Sequence, residues 1–175
     1  MVFRQFVASE TGCTSYLIGC ERGGRAAVVD PLDDVSPYLT EAAHCALRIT
    51  HIIETHSHPE RVSGARRLSA VTGAPLLTRE PPPECQGDEV DEEEEHELGL
   101  VWLTLIQTSG FAGATVAVVV TDRARGRKPC LVLCGEPLSA RMRQRLPALP
   151  EDVAIYAAHA LEPRLCLPER GDREH

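Results

Sequence analysis

Short apolar runs rich in β-branched residues divide the first third of the chain into predicted strands at 2–7, 16–18, 26–29 and 49–53. Between the third and fourth runs the apolar spacing changes to that of a helix, in the segment SPYLTEAAHCALR at 36–48. Ser36 is the predicted N-cap, and Pro37 takes the first helical position. One amphipathic helix is therefore expected here, with its apolar face made of Tyr38, Leu39, Ala42, Ala43 and Leu47.

The same two periods continue along the rest of the chain. A second helix is predicted over 59–73, where Pro59 can begin it and Gly73 can end it. Its inward positions are predicted to be Val62, Ala65, Leu68, Ala70 and Val71, with its arginines at the surface. Further strands are predicted at 100–108, 114–122, 129–135 and 153–159, with a helix at 137–146.

The strands fall into two groups, and each group is followed by helices. This order predicts an α/β fold of four layers, αββα, in which two mixed sheets pack together and the helices lie outside. The chain has 175 residues, of which 43% are hydrophobic, enough for one sizeable core and too few for two ordinary domains. We expect a single domain over 1–175.

An acidic stretch, DEVDEEEEHE, ends at Glu97 and resembles a disordered linker at first sight. It is too short to separate two domains in a chain of this length. We interpret 89–97 as an exposed hairpin or loop. Its charges favour a solvated face, and a docking surface for a basic partner is the less favoured alternative.

Charge and composition narrow the function classes. The formal net charge is -8, which argues against electrostatic binding of nucleic acid or of an anionic membrane. Neither a signal peptide nor a run of about 18 apolar residues is present, so a cytoplasmic protein is expected.

The seven cysteines form no CxxC pair, which favours reduced thiols. Cys134 is expected to be a small buried residue, with a position near a metal site as the alternative.

The sequence THSHPERVSG, which begins at Thr55, has the spacing of a metal site. Further landmarks occur in order along the chain. With these landmarks the sequence resembles the metallo-β-lactamase fold superfamily, in particular its glyoxalase II and persulfide dioxygenase branch, across nearly the whole chain. The landmarks are FRQFVASETGCTSYLIG at 3–19, Val29-Asp30-Pro31, the motif from Thr55, Gly87-Asp88, TSGFAGAT at 108–115, CGE at 134–136 and AAH at 157–159.

The resemblance implies a set of metal positions, and two of them have lost their ligand. Where the resemblance implies His, His, Asp and His in the first motif, this chain has His56, His58, Glu60 and Arg61. A further histidine position holds Phe111. The acid expected to bridge the two metals is Glu136, and the last histidine, His159, is retained. Phenylalanine has no lone pair, and arginine keeps its proton at any usable pH, so neither can bind a metal. The chain therefore resembles a metallo-hydrolase, a thioester hydrolase or persulfide dioxygenase, but lacks two of the ligands expected of such an enzyme.

These replacements argue against a two-metal hydrolase centre. They also break the iron triad that the resemblance implies at 56, 111 and 136. The alternative is a rearranged single site, which would use His56, His58, Glu136 and His159, with Glu60 as a weaker candidate. The cofactor expectation is thus none, or one weakly bound zinc or iron ion. No catalytic residue is assigned.

The leading hypothesis is a non-catalytic or binding member of this superfamily; the alternative is an active single-metal hydrolase or sulfur dioxygenase. Its partner would be a thioester, another small sulfur compound or a protein, and homo-oligomers remain open. Two departures put family-type substrate recognition in doubt: the segment between Glu136 and the AAH motif is short, and the glutathione-binding region has no clear counterpart after His159. Arg61 is predicted to pair with Glu136 or Glu60 in place of the second metal.

Overall fold

The computed structural model describes residues 1–56, 63–78, 93–110, 113–135, 143, 146 and 149–158, with the side chains of 109, 110, 113 and 114 excepted. These residues form ten strands and two helices. The strands are β1 Val2–Val7, β2 Thr14–Cys20, β3 Arg25–Val29, β4 Arg48–Ile53, β5 Leu76–Leu77, β6 Glu93–Glu97, β7 Val101–Gly110, β8 Gly113–Asp122, β9 Leu131–Cys134 and β10 Ala154–Ala157; the helices are α1 Ser36–His44 and α2 Ala65–Thr72.

The first sheet contains the five N-terminal strands in the order β1-β2-β3-β4-β5. The first two pairings are antiparallel, whereas β3 with β4 and β4 with β5 are parallel. Parallel neighbours need a crossover, and α1 and α2 provide it on the outer face of this sheet. The carboxyl ends of β3 and β4 consequently lie side by side.

The second sheet has the order β10-β9-β8-β7-β6. Its pairings are antiparallel except for β9 with β10, which run parallel. β7 and β8 form one long hairpin, paired from Val101 with Asp122 to Gly110 with Gly113. The second sheet is therefore mixed as well, as the sequence predicts.

The main core lies between the two sheets, where residues such as Ile18, Leu103 and Leu133 are fully buried. A second apolar layer lies between the first sheet and its helices, around Tyr38, Ile52 and Leu68. On the outer face of the second sheet, Ile106, Ala117, Val119 and Val132 pack with Leu146. The predicted α/β class, with two mixed sheets as the central layers, is confirmed.

Helix α2 differs from the prediction in extent and orientation. Residues 63 and 64 are not helical, and 59–62 lie outside the described residues. Ala65 and Leu68 are buried as expected, but Ala70 and Val71 are exposed, Val71 by 60%. At 100° per residue, both positions turn well away from the face shared by Ala65 and Leu68. Gly73 ends the helix at a positive φ of 72°, as predicted.

Helix α1 is shorter than predicted and is capped differently. Val35 occupies the N-cap position, and the Ser36 amide donates a hydrogen bond to Oδ1 of Asp34 at 3.0 Å. The chain leaves the helix at Ala46, whose φ is 52°. Because Ser36 is already helical, its predicted capping role is wrong, and Asp34 satisfies an amide of the first turn instead.

Two further comparisons concern the strands. The two-residue strand β5 was not predicted, since PLL is too short to show a period. The acidic stretch forms β6, which pairs with β7 from Glu93 to Glu97, so the hairpin interpretation is confirmed for those residues. Residues 89–92 and most of the helix predicted at 137–146 lie outside the described part of the chain. Neither described helix has the length and apolar character that a membrane crossing requires.

Candidate metal centre

Of the predicted site residues, the structure describes His56. It follows β4 directly, at the carboxyl end of the first sheet, on a turn that also contains Thr55. The other predicted positions lie outside the described residues, so their predicted roles stay predictions. They are His58, Glu60, Arg61, Phe111, Glu136 and His159.

Asp30 fixes the turn that carries His56. It follows β3 with a positive φ of 51°, a conformation that aspartate tolerates better than most residues. Its amide donates to the carbonyl of Ile53 at 2.8 Å. Its carboxylate accepts two hydrogen bonds from Thr55, one from the amide at 2.7 Å and one from the hydroxyl at 2.6 Å. The carboxyl ends of β3 and β4 are thereby locked together around a charged acceptor.

Counting protons identifies the tautomer of His56. Nδ1 of His56 lies 2.7 Å from the hydroxyl oxygen of Thr55. That hydroxyl has one proton, and it is already donated to Asp30, so Nδ1 must be the donor in this contact. Asp30 Oδ1 lies 3.9 Å from the same nitrogen. In the neutral ring the lone pair is therefore on Nε2. A metal-binding histidine whose other ring nitrogen is linked to a carboxylate presents its free lone pair to the metal in the same way.

Gly135 gives the ring of His56 its place against the second sheet. A Cβ at position 135 would lie 2.5 Å from Nδ1 and 2.7 Å from Cγ of His56, closer than real atoms approach. With the ring in this position, any side chain at residue 135 would force His56 to move. The imidazole thus packs against the backbone immediately after β9, and Glu136 is the next residue in the sequence.

Backbone hydrogen bonds connect both sheets at this end of the molecule. The amide of Val116 donates to the carbonyl of Thr55 at 2.7 Å, which links β8 to the His56 turn. The amide of Ala158 donates to the carbonyl of Cys134 at 2.8 Å, and Thr14 donates to Ala158 at 3.1 Å. The described residues that precede Glu136 and His159 therefore lie at the same end of the two sheets as His56.

Cys134 is 1% exposed, and its thiol lies 3.5 Å from the carbonyl oxygen of Tyr156, at hydrogen-bond geometry. This burial supports the interpretation of a small structural residue. The hydroxyl of Tyr16 donates to the carbonyl of Ala157 at 3.1 Å. Burial raises the pKa of Tyr16 well above its ordinary value, so the hydroxyl stays a neutral donor.

Sequence reasoning identified His56 but gave no role to Asp30, Thr55 or Gly135. The available signal was the position of Asp30 directly after a buried strand, where a carboxylate can reach the end of the neighbouring parallel strand. Within the described residues, no three histidine, cysteine or acidic side chains are placed to hold one metal ion. The described part of the site therefore consists of the imidazole of His56 and the residues that orient it, Asp30, Thr55 and Gly135.

Residues 8–126 match the family model of the metallo-beta-lactamase superfamily. This chain belongs to that superfamily. Among curated relatives, the hydroxyacylglutathione hydrolase of a Synechococcus species is 29% identical over 157 residues, and that of Pseudomonas entomophila is 30% identical over 154 residues. Each match covers 77% of this chain, which spans 59% and 57% of the two relatives.

Solved structures of the superfamily share the fold. A metallo-beta-lactamase from Staphylococcus aureus superposes with a TM-score of 0.77 at 24% identity, over 91% of this chain and 56% of that chain. ETHE1 from Myxococcus xanthus gives a TM-score of 0.74 at 23% identity, over 94% and 78%. The predicted membership of the metallo-β-lactamase superfamily is confirmed, and its similarity to curated hydroxyacylglutathione hydrolases agrees with the predicted resemblance to glyoxalase II.

Proposed function

We propose that this protein is a superfamily member with an eroded metal centre, which serves as a non-catalytic or binding relative of glyoxalase II and persulfide dioxygenase enzymes. One observation carries the proposal: two positions where the superfamily pattern has imidazole ligands hold Phe111 and Arg61. Each of the two metal sites implied by the resemblance has lost one nitrogen donor. Neither replacement can donate a lone pair.

The setting of His56 supports descent from a metal site. Asp30 and Thr55 orient its Nδ1, in the way that metal-binding histidines are held by a carboxylate-linked network. A metal at this end of the sheets would draw on His56, His58, Glu136 and His159, with Glu60 as a weaker candidate. The metal would supply Lewis-acid chemistry. The described residues Asp30 and Thr55 orient the imidazole of His56, and the backbone at Gly135 packs against it.

Metal content tests the proposal directly. Protein purified without a chelator is expected to contain less than one equivalent of zinc or iron per chain, measured by inductively coupled plasma mass spectrometry. Phe111→His should raise the affinity for zinc, because it restores a neutral nitrogen donor. Phe3→His, a change of the same type on β1, is the matched control. Two tightly bound ions per parent chain would overturn the proposal.

The alternative function is an active single-metal hydrolase or sulfur dioxygenase, and the preserved tautomer of His56 favours it. Thioester hydrolysis and persulfide oxidation separate the two candidates. The parent protein is expected to show rates near background for both. Turnover of a glutathione thioester at an ordinary enzymatic rate, on the order of 1 to 1000 per second, would instead establish the alternative. For either candidate function we propose a cytoplasmic location, with a small sulfur compound or a protein as partner.

Arg61 is part of the same proposal. If the second metal has been lost, the acids at positions 60 and 136 need another positive charge, since a buried unpaired carboxylate is costly. We expect Arg61→Ala to lower the free energy of unfolding by about 3 kcal/mol, as when a buried ion pair loses one partner. Urea denaturation measures this change, with Arg66→Ala on the exposed face of α2 as control. Equal stability of the two variants would mean that Arg61 replaces nothing.

A further inference from the structure

A β-bulge in β4 turns His51 toward the second sheet. Pairing with β3 runs from Ala26 with Ile49 to Ala27 with His51, so Thr50 is the extra residue. Ile49 and Ile52 consequently pack toward the helices, whereas His51 lies on the inter-sheet side with Ile53. A strand without the bulge would point position 51 to the opposite face. Bulges often serve to re-aim a side chain in this way.

The residue that His51 meets is His96 on β6. The two rings are in edge-to-face contact, with centroids 5.2 Å apart and planes inclined by 61°. Nδ1 of His51 lies 2.9 Å from the hydroxyl of Thr50. Nε2 of His96 is buried and has no hydrogen-bond partner among the described residues, although Oε1 of Glu94 lies 3.1 Å from it. The two histidines thus contact each other across the gap between β4 and β6.

The charged groups around this pair oppose a proton on His51. Burial lowers the pKa of His51, and the nearby charges of His96 and Arg25 lower it further. Among the described residues facing the pair, Glu94 is the acidic group, and it lies beside His96. On the inter-sheet side, β5 and β7 contribute Leu77, Leu103 and Leu105, which cannot offset a charge.

A cavity begins one inward residue further along both strands, at Ile53 of β4 and Glu94 of β6. The other described residues that line it are Leu76, Leu77, Thr78, Leu105 and Val116. The histidine pair does not itself line the cavity, but each histidine lies two residues along its strand from a lining residue, Ile53 or Glu94. Separation of the two rings would therefore widen the space between the open edges of the two sheets.

We propose that His51 and His96 form an acid-sensitive latch, which holds β6 against β4 when His51 is neutral and releases this edge of the sandwich when His51 is protonated. The sign follows from the lowered pKa of His51. Its contribution to stability is fully present above the ordinary histidine pKa of about 6.5 and is lost as the pH falls through the lower value in the folded protein.

Amide hydrogen exchange tests the latch in the intact chain. Protection factors are measured with EDTA present between about pH 8 and about pH 5, which brackets the ordinary histidine pKa. In the parent protein the amides of β6 should lose protection several-fold at the acid end, while those of β10, the corresponding edge strand, should not. His51→Phe keeps an aromatic ring and cannot titrate, so β6 should stay protected throughout. His44→Gln, at an exposed position of α1, should behave like the parent.

Three results would overturn the latch. One is a parent protein whose β6 protection does not change with pH; another is an equal loss in all strands, which indicates global acid unfolding. The third is a His51→Phe variant that still loses β6 protection. His51→Gln replaces that variant if the phenylalanine form does not fold, and it carries the same expectation.

Discussion

At the scale of single residues, the orientation of His56 depends on groups that the spacing of the metal motif does not reveal. The motif identifies His56 because histidines two apart are typical of a metal site. The part played by Asp30 depends on a positive φ and on the pairing of β3 with β4, both of which are properties of the folded chain. A sequence pattern could place Asp30 at a strand end but could not assign its hydrogen bonds.

Thr55→Val should destabilise the protein. Thr55 is 1% exposed, and its hydroxyl donates to Asp30 while accepting from His56. Valine keeps the shape but leaves a carboxylate oxygen and an imidazole nitrogen without this partner, which costs about 1 to 3 kcal/mol. Urea denaturation at neutral pH measures the loss. Thr78→Val, at an exposed position, should change the stability by less than about 0.5 kcal/mol. A Thr55 variant as stable as that control contradicts the assigned network.

At the scale of secondary structure, the periodicity of apolar residues is sufficient to predict the long strands. It is insufficient to predict where the helices and strands end. β7 and β8 are rich in apolar and β-branched residues, and the sequence predicts both almost to their observed limits. The bulge at Thr50 could not be predicted, because one extra residue leaves a run of apolar residues unchanged. In α2, the exposed residues Ala70 and Val71 extend the apolar pattern of the sequence, so the predicted apolar face is wider than the one that the helix buries.

Two substitutions on α2 should have very different effects. Leu68 is fully buried against the first sheet, so Leu68→Ala should lower the free energy of unfolding by about 2 to 5 kcal/mol. Val71 is 60% exposed, and Val71→Ala should stay within about 0.5 kcal/mol of the parent. Both changes shorten an apolar side chain on the same helix. Thermal unfolding of the pair tests the orientation of α2, and similar losses would show that the helix buries the other face.

At the scale of the whole molecule, the grouping of strands along the sequence is enough to predict two mixed sheets. It is not enough to predict the order of the strands within each sheet. The order places β6 at the edge of the second sheet, beside β7. Its four glutamates, Glu93, Glu94, Glu95 and Glu97, are exposed along that open edge. Charged side chains on an edge strand oppose pairing with another chain. The favoured interpretation of the acidic stretch as a solvated face agrees with this position.

Neutralising the edge should promote self-association. Replacement of Glu93, Glu95 and Glu97 by glutamine removes three negative charges from β6 and leaves its backbone groups available for pairing with a second chain. Sedimentation velocity at several concentrations should detect the added species. A control that replaces Glu10, Glu21 and Glu151, which are exposed elsewhere, has the same net charge and should sediment like the parent. Association in the control as well would assign the effect to net charge.

The support of His56 also has a consequence for the order of folding. Asp30 and Thr55 belong to the first sheet, whereas Val116 and Gly135 reach the same turn from the second sheet. Contacts between residues so distant along the chain carry a large loop-closure entropy, so they form slowly compared with the β7–β8 hairpin. We expect the two sheets to acquire much of their pairing before the imidazole is seated. Substitutions at Gly135 would then speed unfolding and leave the folding rate nearly unchanged.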